Sequence, residues 1–383
     1  MASSAELNDR MIDSLVAEGD ISPGEVEAAF RAVPRHFFLP GVDMATVYSG
    51  DAIPIKHGAD GLPISSSSEP AIMAVMLEQL RVEPGNRVLE VGTGSGYNAA
   101  LLAALVGEHG HVTTVDLDQD LVSQALDNLR AAGVSNVDAV VADGWGGVPT
   151  AAPYDRIIVT VGVWDISPQW LQQLAPTGRL VVPLWLRNGT QASVALRPRD
   201  GGLISGDVCP CGFMRLRGPH AGPEAYASVA EWVVSLDDRD DRRLDALERL
   251  LGAPAGVEPA PSLPDGWFTE LALSEPAAVQ MWTPGAPWKS RQGVLVPDGS
   301  GLSVVEDDSR FRDQRTSVDA GSSARLLTFG STAAKDLLMD ALERRPARKL
   351  ADMRLSVRPA SEPEAASDET LFRTNYVYSI SWA

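Results

Sequence analysis

The sequence predicts an α/β fold: a doubly wound, Rossmann-like parallel sheet with an antiparallel hairpin at its edge, then a smaller α+β domain. Three observations predict it. Short apolar runs alternate with helical periodicity between residues 87 and 184. A glycine-rich turn, Gly92-Thr93-Gly94-Ser95-Gly96, follows the first of those runs and opens a helix. Beyond them, Asp200-Gly201-Gly202 separates two strand-like stretches, as a hairpin turn does.

Residues 5–18 and 23–32 read as amphipathic helices, the second with Ser22-Pro23 as cap and first helical residue. Residues 35–68 read as irregular, and a helix is expected from about 69 to Leu80. Arg87–Val91 is a strand, Tyr97–Val106 a helix, Val112–Asp116 a strand and 119–131 a helix ending before Gly133. Val137–Val141, Arg156–Val161 and Arg179–Leu184 are further strands, with a helix over 168–175 between the last two. Alternation of this kind gives parallel strands with helical crossovers. Ala192–Arg197 and Val208–Leu216 form the edge hairpin. Residues 252–266 (GAPAGVEPAPSLPDG) read as a linker or long loop, 332–345 as a helix, 359–369 as mobile and Tyr376–Trp382 as a strand. The chain thus divides into 1–217, a catalytic unit, and 218–383, an extension.

Composition narrows the function classes. The 383 residues exceed one ordinary domain, and 44% are hydrophobic, enough for a sizeable core. A net charge of −19 spread along the chain repels phosphate backbones, so nucleic acid is not an expected partner. The two cysteines, Cys209 and Cys211, flank Pro210 and cannot join without strain. With five histidines at no ligand spacing, no metal is expected, and a reduced, cytoplasmic setting fits. The polar N-terminus reads as no signal peptide, and no run has the length of a membrane span. Oligomeric state is not legible.

The glycine turn carries the first chemical signal. A dinucleotide fingerprint needs G-x-G-x-x-G, but its third position falls on Tyr97. Here the spacing is G-x-G-x-G, with Glu90 two residues before the first glycine. A pyrophosphate would be repelled by that acid, whereas the ammonium of a methionine moiety can be accepted by it. Asp116 ends the second strand 20 residues after Gly96, where a carboxylate can accept from both ribose hydroxyls. Asp118 suits the N-terminus of the helix that follows. Asp143-Gly144 ends the third strand, and Asp143 can accept from an adenine amino group. The series points to S-adenosyl-L-methionine and a class I methyltransferase sheet. The expected cofactor set is Glu90, Gly92, Thr93, Gly94, Gly96, Asp116, Leu117, Asp143 and Gly144, with Ser67 from the preceding loop. Trp145 and Trp164 can border the same place, although large aromatics commonly belong to the core.

Several motifs in order resemble the protein-L-isoaspartate O-methyltransferase family. They are Ala29-Phe30-Arg31-Ala32-Val33-Pro34-Arg35-His36-Phe37-Phe38, Val88 to Ala99, Ala152-Pro153-Tyr154-Asp155-Arg156-Ile157-Ile158-Val159-Thr160, and Gly178-Arg179-Leu180-Val181-Val182-Pro183. The resemblance covers about residues 5–217. It implies methyl esterification of an isoaspartyl α-carboxylate, then succinimide formation. The family's catalytic serine lies in a stretch of the form T-I-S-Q-P, here Pro63-Ile64-Ser65-Ser66-Ser67-Ser68-Glu69-Pro70. Alignment on Pro70 selects Ser68 and alignment on Ile64 selects Ser65, with Ser66 and Ser67 between them. The run is longer than the family pattern, and Glu69 replaces a neutral residue. Asp51 and His57 lie in a neighbouring loop and are expected to cap a turn and to face solvent.

An extension of more than 160 residues resembles the family branch associated with ribosomally made, modified peptides of the lanthipeptide kind. That resemblance implies esterification of an aspartate side chain on the way to isoaspartate. Ordinary isoaspartyl repair is the alternative, and a non-catalytic peptide-binding module is the alternative of another class. On the first reading residues 218–383 recognise peptide. Trp267, Trp282, Trp288, Phe329, Tyr376 and Tyr378 would line a groove, and Arg344, Arg345, Arg348 and Lys349 would meet acidic peptide segments. The competing assignment puts those aromatics in a core.

Overall fold

Helix α1 (Ser4–Glu18) begins with a capping box: Ser3 Oγ accepts from the Glu6 N–H while the Glu6 carboxylate accepts from the Ser3 N–H. Helix α2 (Glu25–Ala32) follows. It starts two residues later than expected, with Gly24 rather than Ser22 at the cap. The computed structural model describes residues 3–59, 61, 63–223, 226–235, 241–263, 267–283, 286–307, 324–344, 352–361 and 370–382. They fall into two units: Met1–Pro183 with Ser193–Asp207 and Phe213–Ala221, and Leu184–Ala192 with Val208–Gly212 and Gly222–Ala383.

Residues 35–68 are more ordered than expected. A 3-10 turn over Arg35–Phe38 leads to α3 (Met44–Val47), β1 (Ile53–His57) and β2 (Pro63–Ser67). Strands β1 and β2 pair antiparallel, with Ile53 opposite Ser67 and Pro54 opposite Ser66. Serine is a poor strand former alone, and here the partner strand imposes the extended backbone on the serine run.

The doubly wound sheet follows as expected. Its elements are α4 (Pro70–Leu80), β3 (Arg87–Val91), α5 (Tyr97–Val106), β4 (His111–Asp116), α6 (Gln119–Ala131), β5 (Val137–Val141), β6 (Tyr154–Val159), α7 (Pro168–Gln173) and β7 (Leu174–Trp185). Strands β8 (Gln191–Arg199) and β9 (Gly202–Cys211) form the hairpin, turning at Asp200 and Gly201, both at positive φ. Spatial order is β9-β8-β7-β6-β3-β4-β5, and β7, β6, β3, β4 and β5 run parallel. The order reverses between β3 and β6. In such sheets ligands bind outside the carboxyl ends of the strands at that switch, which is where the glycine turn after β3 stands. Helix α5 is apolar nearly all round because every residue but Ala104 is buried, with Phe30 and Phe38 against its first residue, Tyr97.

The second unit contains β10 (Tyr226–Val229), β11 (Trp232–Ser235), α8 (Asp241–Leu251), β12 (Ala255–Pro259), α9 (Trp267–Ser274), β13 (Ala278–Thr283), β14 (Ala286–Leu295), β15 (Gly301–Asp307), β16 (Arg325–Gly330), α10 (Ala333–Glu343), β17 (Met353–Pro359), β18 (Thr370–Phe372) and β19 (Tyr376–Trp382). Seven of these strands form an antiparallel sheet, β10-β11-β13-β14-β15-β16-β12. One face packs Val304 and Leu327 against Leu247 and Leu250 of α8. The other packs Val305 and Leu326 against Trp267, Phe268 and Leu271 of α9 and Leu338 of α10. Successive residues thus serve opposite layers, as strand periodicity requires.

Two expectations are corrected here. Part of the segment read as a linker is the edge strand β12, paired to β16; residues 264–266 lie outside the described residues. Four of the six aromatics expected to line a groove, Trp267, Phe329, Tyr376 and Tyr378, are buried instead, and Trp282 is half-buried. The Trp288 side chain, Arg345, Arg348, Lys349 and residues 362–369 lie outside the described residues, and Arg344 pairs with Asp340 along α10. No described helix is long and apolar enough to cross a membrane.

Candidate active site

The glycine turn is held from below by a buried acid. Glu90, the penultimate residue of β3, is 0% exposed. Its Oε1 accepts from Asn98 Nδ2 at 2.8 Å, and its Oε2 accepts from Thr114 Oγ1 at 2.6 Å. Thr93 Oγ1 lies 2.8 Å from Thr114 Oγ1. Since the Thr114 proton points to Glu90, Thr93 donates to Thr114, and a hydroxyl chain ties the turn to the acid. Burial pushes the Glu90 carboxyl up to about 7, against the opposing hydrogen bonds from Thr114 and Asn98. The sequence suggests direct contact with the cofactor ammonium. In the structure both oxygens also accept from the chain's own donors, which ties the glycine turn to this acid.

Gly92 can be nothing larger. Its φ is +108°, and a Cβ there would stand 2.5 Å from Thr160 Oγ1. Thr160, at the end of β6, closes that side, with its hydroxyl 2.9 Å from the Gly92 carbonyl oxygen. Gly96 caps α5 and its N–H donates to the Thr93 carbonyl. A Cβ on Gly94 would meet only the Ser66 carbonyl oxygen at 3.5 Å and Ile55 at 4.0 Å, so the serine strand runs alongside the turn.

The acids after β4 and β5 converge on the same crevice. Asp116 Oδ2 accepts from the Gly94 N–H at 3.1 Å, and its Oδ1 from the Asp118 N–H at 3.3 Å. Leu117 is 43% exposed beside it, an apolar surface at the strand's mouth. Asp143 Oδ1 accepts from the Trp145 N–H at 3.0 Å and caps the 3-10 turn Gly144–Gly146. Gly144 packs too closely on Val91 to carry a side chain: a Cβ would stand 2.6 Å from its Cγ1. Asp118 stands at the N-terminus of α6, as expected. It occupies the cap position of α6 without a capping bond, and pairs with Arg217 at 2.7 Å and Lys56 at 2.9 Å. Those partners, Arg217 first, hold its carboxyl below the usual aspartate range.

The serine run is organised by a residue to which sequence reasoning assigned no role. Arg35 is wholly buried. Its guanidinium donates to the carbonyl oxygens of Val47 (2.9 Å), Asp51 (2.9 Å), Ser67 (3.4 Å) and Ser68 (2.9 Å). Nothing in the spelling of the segment separates Arg35 from a solvated arginine, because its acceptors come from distant positions. Ser65, Ser66 and Ser68 are half-buried, while Ser67 is buried and its hydroxyl has no partner among the described residues. An orphaned hydroxyl beside a glycine turn, strand-end acids and exposed Leu117 fits an adenosyl and amino-acid ligand. Asp51 accepts through its carbonyl rather than serving only as a cap, and His57 is exposed.

Comparison with known proteins agrees with this geometry. The sequence model for the family described as protein-L-isoaspartate(D-aspartate) O-methyltransferase matches residues 5–219. The chain is similar to the protein-L-isoaspartate O-methyltransferase of Hyperthermus butylicus, 38% identical over 58% of this chain and 94% of that protein. It is similar also to that of Ignicoccus hospitalis, 37% identical over 54% of this chain and 95% of that protein. A solved structure titled protein-L-isoaspartate O-methyltransferase shares the fold over 98% of this chain and 99% of its own, with a TM-score of 0.54 at 24% identity.

Proposed function

The chain belongs to the protein-L-isoaspartate(D-aspartate) O-methyltransferase family and is an S-adenosylmethionine-dependent carboxyl O-methyltransferase; from that membership we propose that its acceptor is the free α-carboxylate of an L-isoaspartyl residue in a peptide or protein. The observation that carries the reading is the seating of the Ser65–Ser68 run beside Gly94, with Arg35 holding the Ser67 and Ser68 carbonyls. The backbone of the serine run beside the turn supports a role for one of its hydroxyls on the acceptor side.

The cofactor supplies an electrophilic methyl group on a sulfonium. The acceptor carboxylate is already ionised at neutral pH, so the chain has no proton to remove. Its tasks are alignment and exclusion of water, with donor and acceptor atoms brought to roughly 3–3.5 Å. Ser68 donates to one carboxylate oxygen and aims the other at the methyl carbon. With the cofactor bound, Asp116 would accept from the ribose hydroxyls and Asp143 from the adenine amino group, and Leu117 would offer the base an apolar surface. The backbone amide nitrogen of the following residue then attacks the ester carbonyl carbon and expels methanol, which carries off the amide proton, and closes the succinimide without further catalysis.

The test uses a short isoaspartyl peptide and the four single serine-to-alanine variants. Ser68→Ala lowers kcat at least tenfold, roughly the cost of one lost positioning hydrogen bond, while S-adenosylhomocysteine affinity stays near wild type. Loss confined to Ser65→Ala or Ser66→Ala would move the positioning role along the run. A second reading rests on the length of that run and on Glu69: an acceptor pocket altered for an ordinary aspartate of a ribosomally made peptide. On it the short isoaspartyl peptide is a poor substrate and the modified precursor a good one.

A further inference from the structure

One short segment of the first unit runs past the acids Asp116, Asp118 and Asp143. Beyond β9 the chain crosses the carboxyl end of the sheet. The Gly162 N–H donates to the Met214 carbonyl at 2.7 Å, and the Leu216 N–H donates to the Gly162 carbonyl at 2.9 Å. This lashes the segment to the loop after β6. Arg217 then reaches the strand β4 corner, donating to both Asp118 oxygens at 2.7 and 3.3 Å, with Asp116 Oδ1 at 3.9 Å. A Cβ on Gly218 would stand 3.8 Å from Asp143 Oδ2. His220 stacks on Trp145 at 4.4 Å between ring centroids and 10° between planes. Lys56 of β1 holds Asp118 from the other side at 2.9 Å.

We propose that Arg217 is a positioning residue for Asp116, acting through Asp118. The geometry gives the mechanism. Asp116 and Asp118 are joined by the Asp118 N–H, which donates to Asp116 Oδ1. A guanidinium that fixes Asp118 therefore fixes the frame from which Asp116 presents its carboxylate to two ribose hydroxyls. Arg217 pairs with the second of the two neighbouring acids, Asp118, and so leaves the Asp116 oxygens free to face the crevice. The inference rests on the cofactor placement above and is independent of the acceptor.

Calorimetric titration with S-adenosylhomocysteine tests it without any acceptor, so its failure is separate from failure of the isoaspartyl reading. Wild type, Arg217→Ala, Asp116→Asn and the double variant form a cycle. Arg217→Ala weakens binding about tenfold, and the double variant binds within about twofold of Asp116→Asn alone, because the two act as one unit. Arg217→Lys recovers part of the loss, since it keeps the charge and gives up the fork. Losses that multiply across the cycle, or Arg217→Ala binding as wild type, would overturn the proposal. Should Arg217→Ala fail to fold, Asp118→Asn takes its place in the cycle with the same expected coupling to Asp116.

Discussion

Arg35 donates to the carbonyl oxygen of Ser68 at 2.9 Å from inside the protein. The same guanidinium holds the carbonyls of Val47, Asp51 and Ser67, so one buried cation shapes the whole acceptor loop. Arg35→Ala leaves those carbonyls without their donor and opens a void. It should destabilise the protein by about 2–4 kcal/mol, from lost charged hydrogen bonds and incomplete collapse. Urea unfolding measures this as a lower midpoint at unchanged slope. Arg35→Lys should restore only part, because a point charge cannot serve several diverging acceptors.

Gly92 tests the turn. An alanine there has a left-handed φ and a Cβ in collision with Thr160. Gly92→Ala should cost about 1–3 kcal/mol of stability as backbone strain and should also weaken S-adenosylhomocysteine binding. Thermal melting with and without that ligand reads both effects. A ligand-induced rise in Tm equal to that of wild type would show that the turn does not contact the cofactor.

Glu90 gives a pH signature. Its carboxyl lies at about 7 in the fold, against 4.5 ordinarily, chiefly through burial. Between those values the folded chain holds a proton that the unfolded chain has lost. This group's contribution is therefore most favourable below pH 4.5 and declines as pH rises, with the cost complete above pH 7. Glu90→Gln removes that decline. Its stability relative to wild type should rise from pH 5 to pH 8, measured by denaturant midpoints. Parallel pH curves would contradict the assignment.

Asp118 gives the opposite signature. Arg217 and Lys56 depress its carboxyl, so its stabilising contribution is complete above the ordinary aspartate value and is lost as pH falls through the lowered one. Asp118→Asn should be less stable than wild type at neutral pH, and the difference should shrink in acid.

The parallel sheet was legible because its strands are short apolar runs with glycine or acid at their ends. Arg87–Val91 and Val137–Val141 stand where their patterning puts them. Strand β12 was not. Ala255–Pro259 contains Gly256 and Pro259, which read as loop, yet an edge strand tolerates both because one side makes no ladder. Strand β2 was hidden for a related reason: its extended backbone comes from pairing with Ile53–His57 rather than from its serines. Around the glycine turn, the positions of Glu90, Asp116 and Asp143 at the ends of successive strands were legible from their spacing. Arg35 and Arg217 were not, since their acceptors lie far away in sequence and only the fold brings them together.

The most direct measurement places two peptides of identical sequence in one reaction, one with an isoaspartyl linkage and one with an ordinary aspartyl linkage. Mass spectrometry then follows the methyl ester and its succinimide. The account predicts ester and succinimide on the isoaspartyl peptide, with the aspartyl peptide unchanged and Ser68→Ala slowing the reaction. Methylation of the aspartyl peptide in preference to its isomer would contradict it.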